Sequence, residues 1–365
     1  MMQIGEIFAK DISKIRHYEH VAEFYITFFE DPATVYFFKA SKLVSDLLPN
    51  VKGREFVELS LYVGRTLYLE FGDRYSEGLP LPDSLIKKAL SEILQAQKIF
   101  ENYELFGGTT ILVANNELLE NKQNRFGTDA TVELLKKISN TVTIFRLKVE
   151  DVHTVPTDFK NRILEGLAKS RGKTTFVFDG HGASAELSEN SHAKGYFING
   201  NLSELKDKNI PDENTSITSL ELAKALEEKY VRESETRDFI AQPDVVIFTT
   251  CYSGNFMREV IDYLKSKNLP VPVLISETEV GQIGYGDSGN VYGSDFLSNV
   301  ILDLTSNGVS KPTVGKVLQR QFEAGTSNPT VFVPHSPVVT GKKKTPLKPR
   351  VIQVGEASGS DMSSA

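Results

Sequence analysis

The run Val245-Val246-Ile247-Phe248-Thr249-Thr250-Cys251-Tyr252-Ser253-Gly254 decides the fold class of this chain. Its continuous β-branched and aromatic opening is the pattern of a strand buried on both faces of a parallel sheet. A glycine closes the run, and Asn255 to Lys267 then follows helical spacing. The same grammar occurs earlier, where Phe176-Val177-Phe178 leads into Asp179-Gly180-His181-Gly182. A lone cysteine and a Gly-His-Gly therefore each stand at the carboxyl end of a buried-type strand.

Outward from these two strands, the chain alternates strand and helix patterns. Strands are expected at 109–114, 141–149, 174–178, 244–250 and 271–276, with an edge strand at 330–333. Helices are expected at 129–138, 156–170 (opened by Pro156 in its first turn) and 255–267. Such alternation implies right-handed crossovers and a mainly parallel six-strand sheet sandwiched by helices, an α/β fold spanning 107–338. Between the two motifs, Gly195 to Leu202 reads as a β-hairpin through an Asn199-Gly200 turn, followed by a helix from Ser219 to Tyr230.

Residues 1–106 read as a helical module. Phe24, Phe28, Phe29, Val35, Phe38, Val44, Leu47 and Leu48 recur at helical spacing, with Pro32 separating two helices. A third helix is expected from Ser84 to Tyr103, with Asp83 as N-cap and Ile86, Leu90, Ile93, Ile99 and Phe100 on one face. His17 and His20 lie three apart, but no third ligand is placed to join them, so they read as surface residues. At the other end, 339–365 carries Lys342, Lys343, Lys344, Lys348 and Arg350 among Pro, Gly and Ser, the composition of a disordered basic tail.

Bulk composition narrows the function classes. A net charge of −7 and a pI near 5.6 exclude a general nucleic-acid-binding role. One cysteine makes neither an internal disulfide nor a Cys-rich zinc site. No apolar run reaches the roughly 18 residues of a membrane span, and the start lacks signal-peptide blocks. The expectation is a cytoplasmic protein, or one exported by a non-classical route.

The chemistry follows from the sheet. Sites in open α/β sheets form beyond the carboxyl ends of the strands, where both His181 and Cys251 are placed. If their strands are neighbours, the imidazole comes near the sulfur. The helix after Gly254 then points its positive end at Cys251 and favours the thiolate. His181 serves as general acid and base, and the backbone N–H groups of Gly182 and Cys251 form an oxyanion hole. His192 and His335 lack this context and read as surface or packing residues.

Phe178-Asp179-Gly180-His181-Gly182 together with Thr250-Cys251-Tyr252-Ser253-Gly254 resembles the caspase–haemoglobinase fold cysteine peptidases (clan CD), which include caspases, metacaspases, legumains, clostripain and gingipains. The patterns F-S-G-H-G and D-x-C-Y/H-S-G of metacaspases and bacterial caspase-like proteins are similar to it. The resemblance covers about 108 to 335. It implies a cysteine endopeptidase acting on protein or peptide substrates through a thioester acyl-enzyme. Some members of that family need calcium, but no EF-hand-like acidic loop is visible here, so no metal or cofactor is expected. It also leaves room for a catalytically silent binding module, or for a peptide ligase using the same dyad.

The departures bear on specificity. Metacaspases carry an acidic residue two before the cysteine to recognise a basic substrate side chain, and here that position is Thr249. Caspases use arginines to bind aspartate, for which Arg125, in the loop after the first strand, is the candidate. Glu277 and Glu279 have two readings, as the lining of a pocket for a basic residue or as solvated loop carboxylates. Asp179 is assigned no catalytic role. Gly286 to Gly289 matches G-D-S-G, but the surrounding α/β pattern is wrong for a double β-barrel and no suitable His-Asp order precedes it. Gly284 to Gly289 matches G-x-G-x-x-G, but lies late in the sheet rather than in an opening βαβ unit, and the segment reads as a cleft loop.

Overall fold

The computed structural model describes residues 34–71, 83–114, 122–146, 157–187, 191–198, 216–235, 243–278, 311–320, 330–334 and 350–353. The chain divides into two compact units, Met1–Ala96 and Gln97–Ala365.

The first unit holds helices α1 (Thr34–Leu47), α2 (Gly53–Phe71) and most of α3 (Asp83–Phe100). Their inward faces bury Leu43, Val44, Tyr62, Val63, Leu67, Ile86, Leu90 and Ile93, the i, i+3, i+4 stripes of amphipathic helices. Two expected core positions turn outward instead, Leu47 at 49% exposed and Ile99 at 64%. The residues read at 21–33, including Phe24, Phe28 and Phe29, and His17 and His20, lie outside the described residues.

The second unit is α/β. Its strands are β1 (Thr109–Ala114), β2 (Thr141–Arg146), β3 (Thr174–Asp179), β4 (His181–Leu187), β5 (Ser191–Ile198), β6 (Ser216–Thr218), β7 (Val245–Thr249), β8 (Val273–Ser276), β9 (Thr330–Phe332) and β10 (Arg350–Gln353). Its helices are α4 (Lys122–Ile138), α5 (Thr157–Lys169), α6 (Ser219–Glu235), α7 (Ser253–Ser266) and α8 (Val314–Arg320). The main sheet runs β10-β2-β1-β3-β7-β8-β9, parallel throughout except for the antiparallel β8–β9 pair. The six expected strands are all present. A seventh lies within the segment read as a basic tail, where Arg350–Gln353 pairs in parallel with β2.

Connection order sets the layers. The chain steps from β1 outward to β2 through α4, then crosses back to β3 through α5 and continues through β7 to β8. Right-handed crossovers place the helices of these opposite steps on opposite faces of the sheet. α5, α6 and α7 pack side by side on one of them. Because parallel strands are covered on both sides, β3 and β7 are buried along their whole length. Phe178 and Phe248 stack with ring centroids 5.6 Å apart, and Phe256 of α7 closes on Phe248 at 5.1 Å. Three buried rings of this kind contribute several kcal/mol, and removing one typically costs about 3–5 kcal/mol. This aromatic wedge fixes β7 and α7 against β3, and so holds the loop between β7 and α7 beside the end of β3.

The segment between the two motifs departs from the expected hairpin. β5 pairs antiparallel with β4 before it and with β6 after it, a three-stranded sheet of its own. The strand therefore reaches back to His181 itself, which pairs with Ile198. Asn199 and Gly200 lie outside the described residues.

Candidate active site

The carboxyl edge of the main sheet carries both sequence motifs. β3 and β7 are hydrogen-bonded neighbours, and their last rung pairs Asp179 with Thr249. The chain leaves this rung on both strands and covers two residues to reach His181 on one and Cys251 on the other. These strands sit beside the point where the connections reverse direction, between β1 and β3, which is where open α/β sheets bind ligands.

Gly182 shows how closely the two segments meet. A methyl group on its α-carbon would lie 2.0 Å from the Cys251 carbonyl oxygen and 2.9 Å from Thr250 Oγ1. No side chain fits there, and the obstruction is backbone, which cannot rotate away. The glycine of the Gly-His-Gly motif is thus required by the approach of two main chains. Of His181 the backbone is described, at the start of β4 and adjacent to this contact. The strand-end placement read from the sequence brings His181, Gly182 and Cys251 to one junction.

Cys251 is partly exposed and its sulfur is in no disulfide. Directly after it, Tyr252 adopts a left-handed conformation, φ 56° and ψ 22°, and forms the N-cap of α7. A non-glycine residue there costs about 1 kcal/mol or more. The sharp turn lets the chain pass from strand to helix within two residues, which lifts Cys251 onto the rim. The first turn of α7 is tied down by a reciprocal pair. Ser253 N–H donates to Thr278 Oγ1 at 3.0 Å, and Thr278 N–H donates to Ser253 Oγ at 3.2 Å. With Asn255 N–H donating to the Tyr252 carbonyl at 3.0 Å, the helix N-terminus is held toward the cysteine. Its partial positive charge favours an anion on sulfur.

The remaining sequence candidates separate. Thr249 is buried and its hydroxyl is turned onto β3, 2.9 Å from the Phe178 carbonyl oxygen and 3.1 Å from Asp179 Oδ1. Glu277 is 2% exposed, and its N–H donates to the Phe248 carbonyl at 2.9 Å, so it extends the β7–β8 ladder by one rung. Its reading as a solvated loop carboxylate is therefore corrected, because burial beside Thr249 takes it out of water. Arg125 lies in the first turns of α4 rather than in a loop. Glu279 and the Gly284–Gly289 segment lie outside the described residues. Among the described residues no group of His, Cys, Asp and Glu side chains is arranged to hold a metal, and no helix is long and apolar enough to cross a membrane.

Two features of the site were missed by sequence reasoning. The Ser253–Thr278 clasp joins segments that no local pattern relates, although Thr278 stands directly after a buried-type strand. The Asp179–Thr249 bond depends on register, which becomes visible only when β3 and β7 are paired.

No family profile matches the chain, and no curated protein matches it. Among solved structures it is similar to a structural-genomics target from Geobacter sulfurreducens, at 12% identity and TM-score 0.39 over 67% of this chain and 99% of that one. It is also similar to caspase-1 from Spodoptera frugiperda, at 13% identity and TM-score 0.30 over 57% of this chain and 73% of that one. At these scores neither likeness carries weight for function.

Proposed function

We propose that this chain is a caspase-like cysteine endopeptidase in which Cys251 is the nucleophile and His181 the general acid and base. The observation that carries it is the backbone contact of Gly182 with Cys251 at the carboxyl edge of β3 and β7. That contact unites two motifs far apart in sequence, one bearing the lone thiol of the chain and the other an imidazole.

In this reading the Cys251 thiol passes its proton to His181, and the thiolate attacks the scissile carbonyl. The N–H groups of Gly182 and Cys251 receive the oxyanion, for which backbone donors need no side-chain reorganisation. His181 then protonates the leaving amine, and a thioester joins the acyl part to Cys251. Water, activated by the now neutral imidazole, hydrolyses the thioester. Thr249, Glu277, Glu279 and Arg125 are the candidates for reading the substrate side chain that precedes the scissile bond.

The test is the rate at which iodoacetamide labels Cys251 in the intact chain at neutral pH, read by mass spectrometry for wild type, His181→Ala and Cys251→Ala. Cleavage of a mixed peptide library is followed in parallel. Fast labelling at Cys251 that slows in His181→Ala, with cleavage lost in both variants, supports the endopeptidase. Labelling at the rate of an ordinary thiol, indifferent to His181→Ala and without cleavage even after limited proteolysis, would leave a binding module on the same fold. Peptide products joined to an added amine would instead assign the dyad to ligation.

A further inference from the structure

The turn that carries Cys251 is closed on both sides by hydrogen bonds to one short segment at the end of β8. Phe248 pairs with Ser276 on the last rung of β7 and β8, and the Glu277 N–H donates to the Phe248 carbonyl one step further on, at 2.9 Å. The Ser276 hydroxyl donates forward to the Thr278 carbonyl at 2.8 Å, which fixes the chain direction there. Thr278 then meets Ser253, the first residue of α7. Thr249 to Tyr252 span the interval between these two closures, so the cysteine sits on the open side of a ring of bonds.

Thr278 does for α7 what its own N-cap does not. A helix start is ordinarily capped by the side chain of the N-cap residue, which accepts an amide of the first turn. Tyr252 occupies that position, makes no side-chain cap bond and stands at φ 56°. The Ser253 N–H donates instead to Thr278 Oγ1 at 3.0 Å, and the Thr278 N–H returns to Ser253 Oγ at 3.2 Å. The two hydroxyl oxygens are themselves 3.0 Å apart, and both residues are fully buried, so water does not compete for these groups. A residue in a sparsely populated backbone region persists where its surroundings over-determine it, and the clasp fixes the residue that follows Tyr252.

We propose that Thr278 is a positioning residue for the Cys251 nucleophile, a cap supplied from the end of β8 that keeps the first turn of α7, with its partial positive charge, at the cysteine. This rests on the reading of Cys251 as the nucleophile. Thr278 acts through Ser253 rather than on a reacting atom. With the clasp open, Tyr252 relaxes toward the common backbone regions and the amino end of α7 moves off the cysteine. The thiolate then loses part of an interaction that falls off within one turn of the helix end.

The experiment follows iodoacetamide labelling of Cys251 from pH 5 to pH 9 in the full chain, for wild type, Thr278→Val, Thr278→Ser, Ser253→Ala and the double variant Ser253→Ala/Thr278→Val. These exchanges alter no formal charge, so Asp179, His181, Glu277 and Arg258, carried by β3, β4, the end of β8 and α7, are common to every profile. In Thr278→Val, labelling at pH 6 is expected to slow about threefold, the acidic limb moving up by about half a pH unit while the rate at pH 9 changes little. Thr278→Ser keeps the hydroxyl and is expected to restore the wild-type profile. The double variant is expected to be no slower than Thr278→Val, because the two residues act as one unit. An unmoved limb in folded Thr278→Val, beside fast wild-type labelling, overturns the role of the clasp and leaves the nucleophile standing. So does a Thr278→Ser profile that follows Thr278→Val, or a double variant slower than either single one. Wild-type labelling at the rate of an ordinary thiol sinks the nucleophile and the clasp together. Should Thr278→Val not fold, Ser253→Ala removes the returning acceptor and keeps the Ser253 amide. A smaller shift in the same direction is expected there, and an unmoved limb in that folded variant overturns the proposal.

Discussion

The two edges of the main sheet are built from the same strands, yet they use polar groups in opposite ways. At the amino edge, Asp244 opens the approach to β7 and is 3% exposed. Its Oδ1 accepts the Thr174 N–H at 2.8 Å, and Lys229 Nζ lies 2.9 Å from its Oδ2. Lys229 also donates to Glu233 at 3.0 Å and to the Gly172 carbonyl at 2.9 Å. Nearby, the Tyr103 hydroxyl donates to the Pro243 carbonyl at 2.5 Å, and Lys173 Nζ sits 3.9 Å above the Tyr103 ring. Charge there is buried, paired and multiply bonded. At the carboxyl edge a left-handed residue follows a partly exposed thiol, and two main chains press together at a glycine. Local backbone strain at the carboxyl edge is thus offset by a rigid polar network at the far end of the same strands.

That contrast can be broken most sharply by removing the chemistry alone. Cys251→Ala and His181→Ala are each expected to lower peptide cleavage by at least about a thousandfold while leaving the melting transition nearly where it was. A comparable loss of stability in either would mean that these residues are core packing.

At the opposite edge the expectation inverts. Asp244→Ala leaves Lys229 buried without its nearest carboxylate, and breaking such a pair costs about 3–5 kcal/mol. Denaturant unfolding should register that loss, whereas the labelling rate of Cys251 in the folded fraction should stay the same. A change in that rate would join the two edges into one functional unit.

Gly182→Ala strikes stability and activity together. The added methyl meets the Cys251 carbonyl oxygen at 2.0 Å, so the main chains must part. About 2 kcal/mol of stability and at least a tenfold loss of cleavage are expected, the first from thermal melts and the second from peptide turnover.

A smaller effect should appear in the alkaline range. Burial lowers the Lys173 ammonium from 10.5 to about 8, against the pull of Glu104 and Asp244. Between those values the unfolded chain holds more protons than the folded one, so stability rises with pH across that window. Lys173→Met should flatten the rise, a difference on the order of 2 kcal/mol in unfolding measured at pH 7.5 and at pH 9.5. Above about pH 10 the half-buried Tyr103 phenol acts the other way, because desolvation and the Asp244 charge hold it protonated while the unfolded chain ionises. A wild-type profile flat from pH 7.5 to pH 9.5 would show that Lys173 pays no desolvation penalty.

The smallest change concerns Thr250. Its hydroxyl is buried and has no hydrogen-bond partner among the described residues, although it lies beside Gly182. Thr250→Val keeps the shape and removes the desolvated hydroxyl, so stability should be unchanged or higher by up to about 1 kcal/mol. A loss larger than that, with slower Cys251 labelling, would draw Thr250 into the site.

Much of the architecture was legible because it is local. Continuous runs such as Val245 to Phe248 announce buried strands, and the helices between them announce parallel connections. The helix after Cys251 was read two residues late, because Ser253 is held at its start by Thr278, a residue from the end of another strand. α4 begins at Lys122, seven residues before the expected Asp129. Its first turns are polar and carry little apolar periodicity for the sequence to display. The strand at Arg350–Gln353 was hidden for a similar reason, since an edge strand needs little hydrophobicity once a neighbouring strand offers its free backbone groups.

By itself, then, the sequence determined which segments become buried strands and which residues end them, because side-chain burial and periodicity are properties of short windows. It thereby put a lone cysteine and a histidine two residues beyond the same edge of one sheet. Tertiary structure alone decided that β3 and β7 are neighbours, that Asp179 meets Thr249 on one rung, and that Gly182 rests on the Cys251 carbonyl. Register, close approach of main chains and buried hydrogen bonds are relations between distant segments, and they take a value only when the chain has packed.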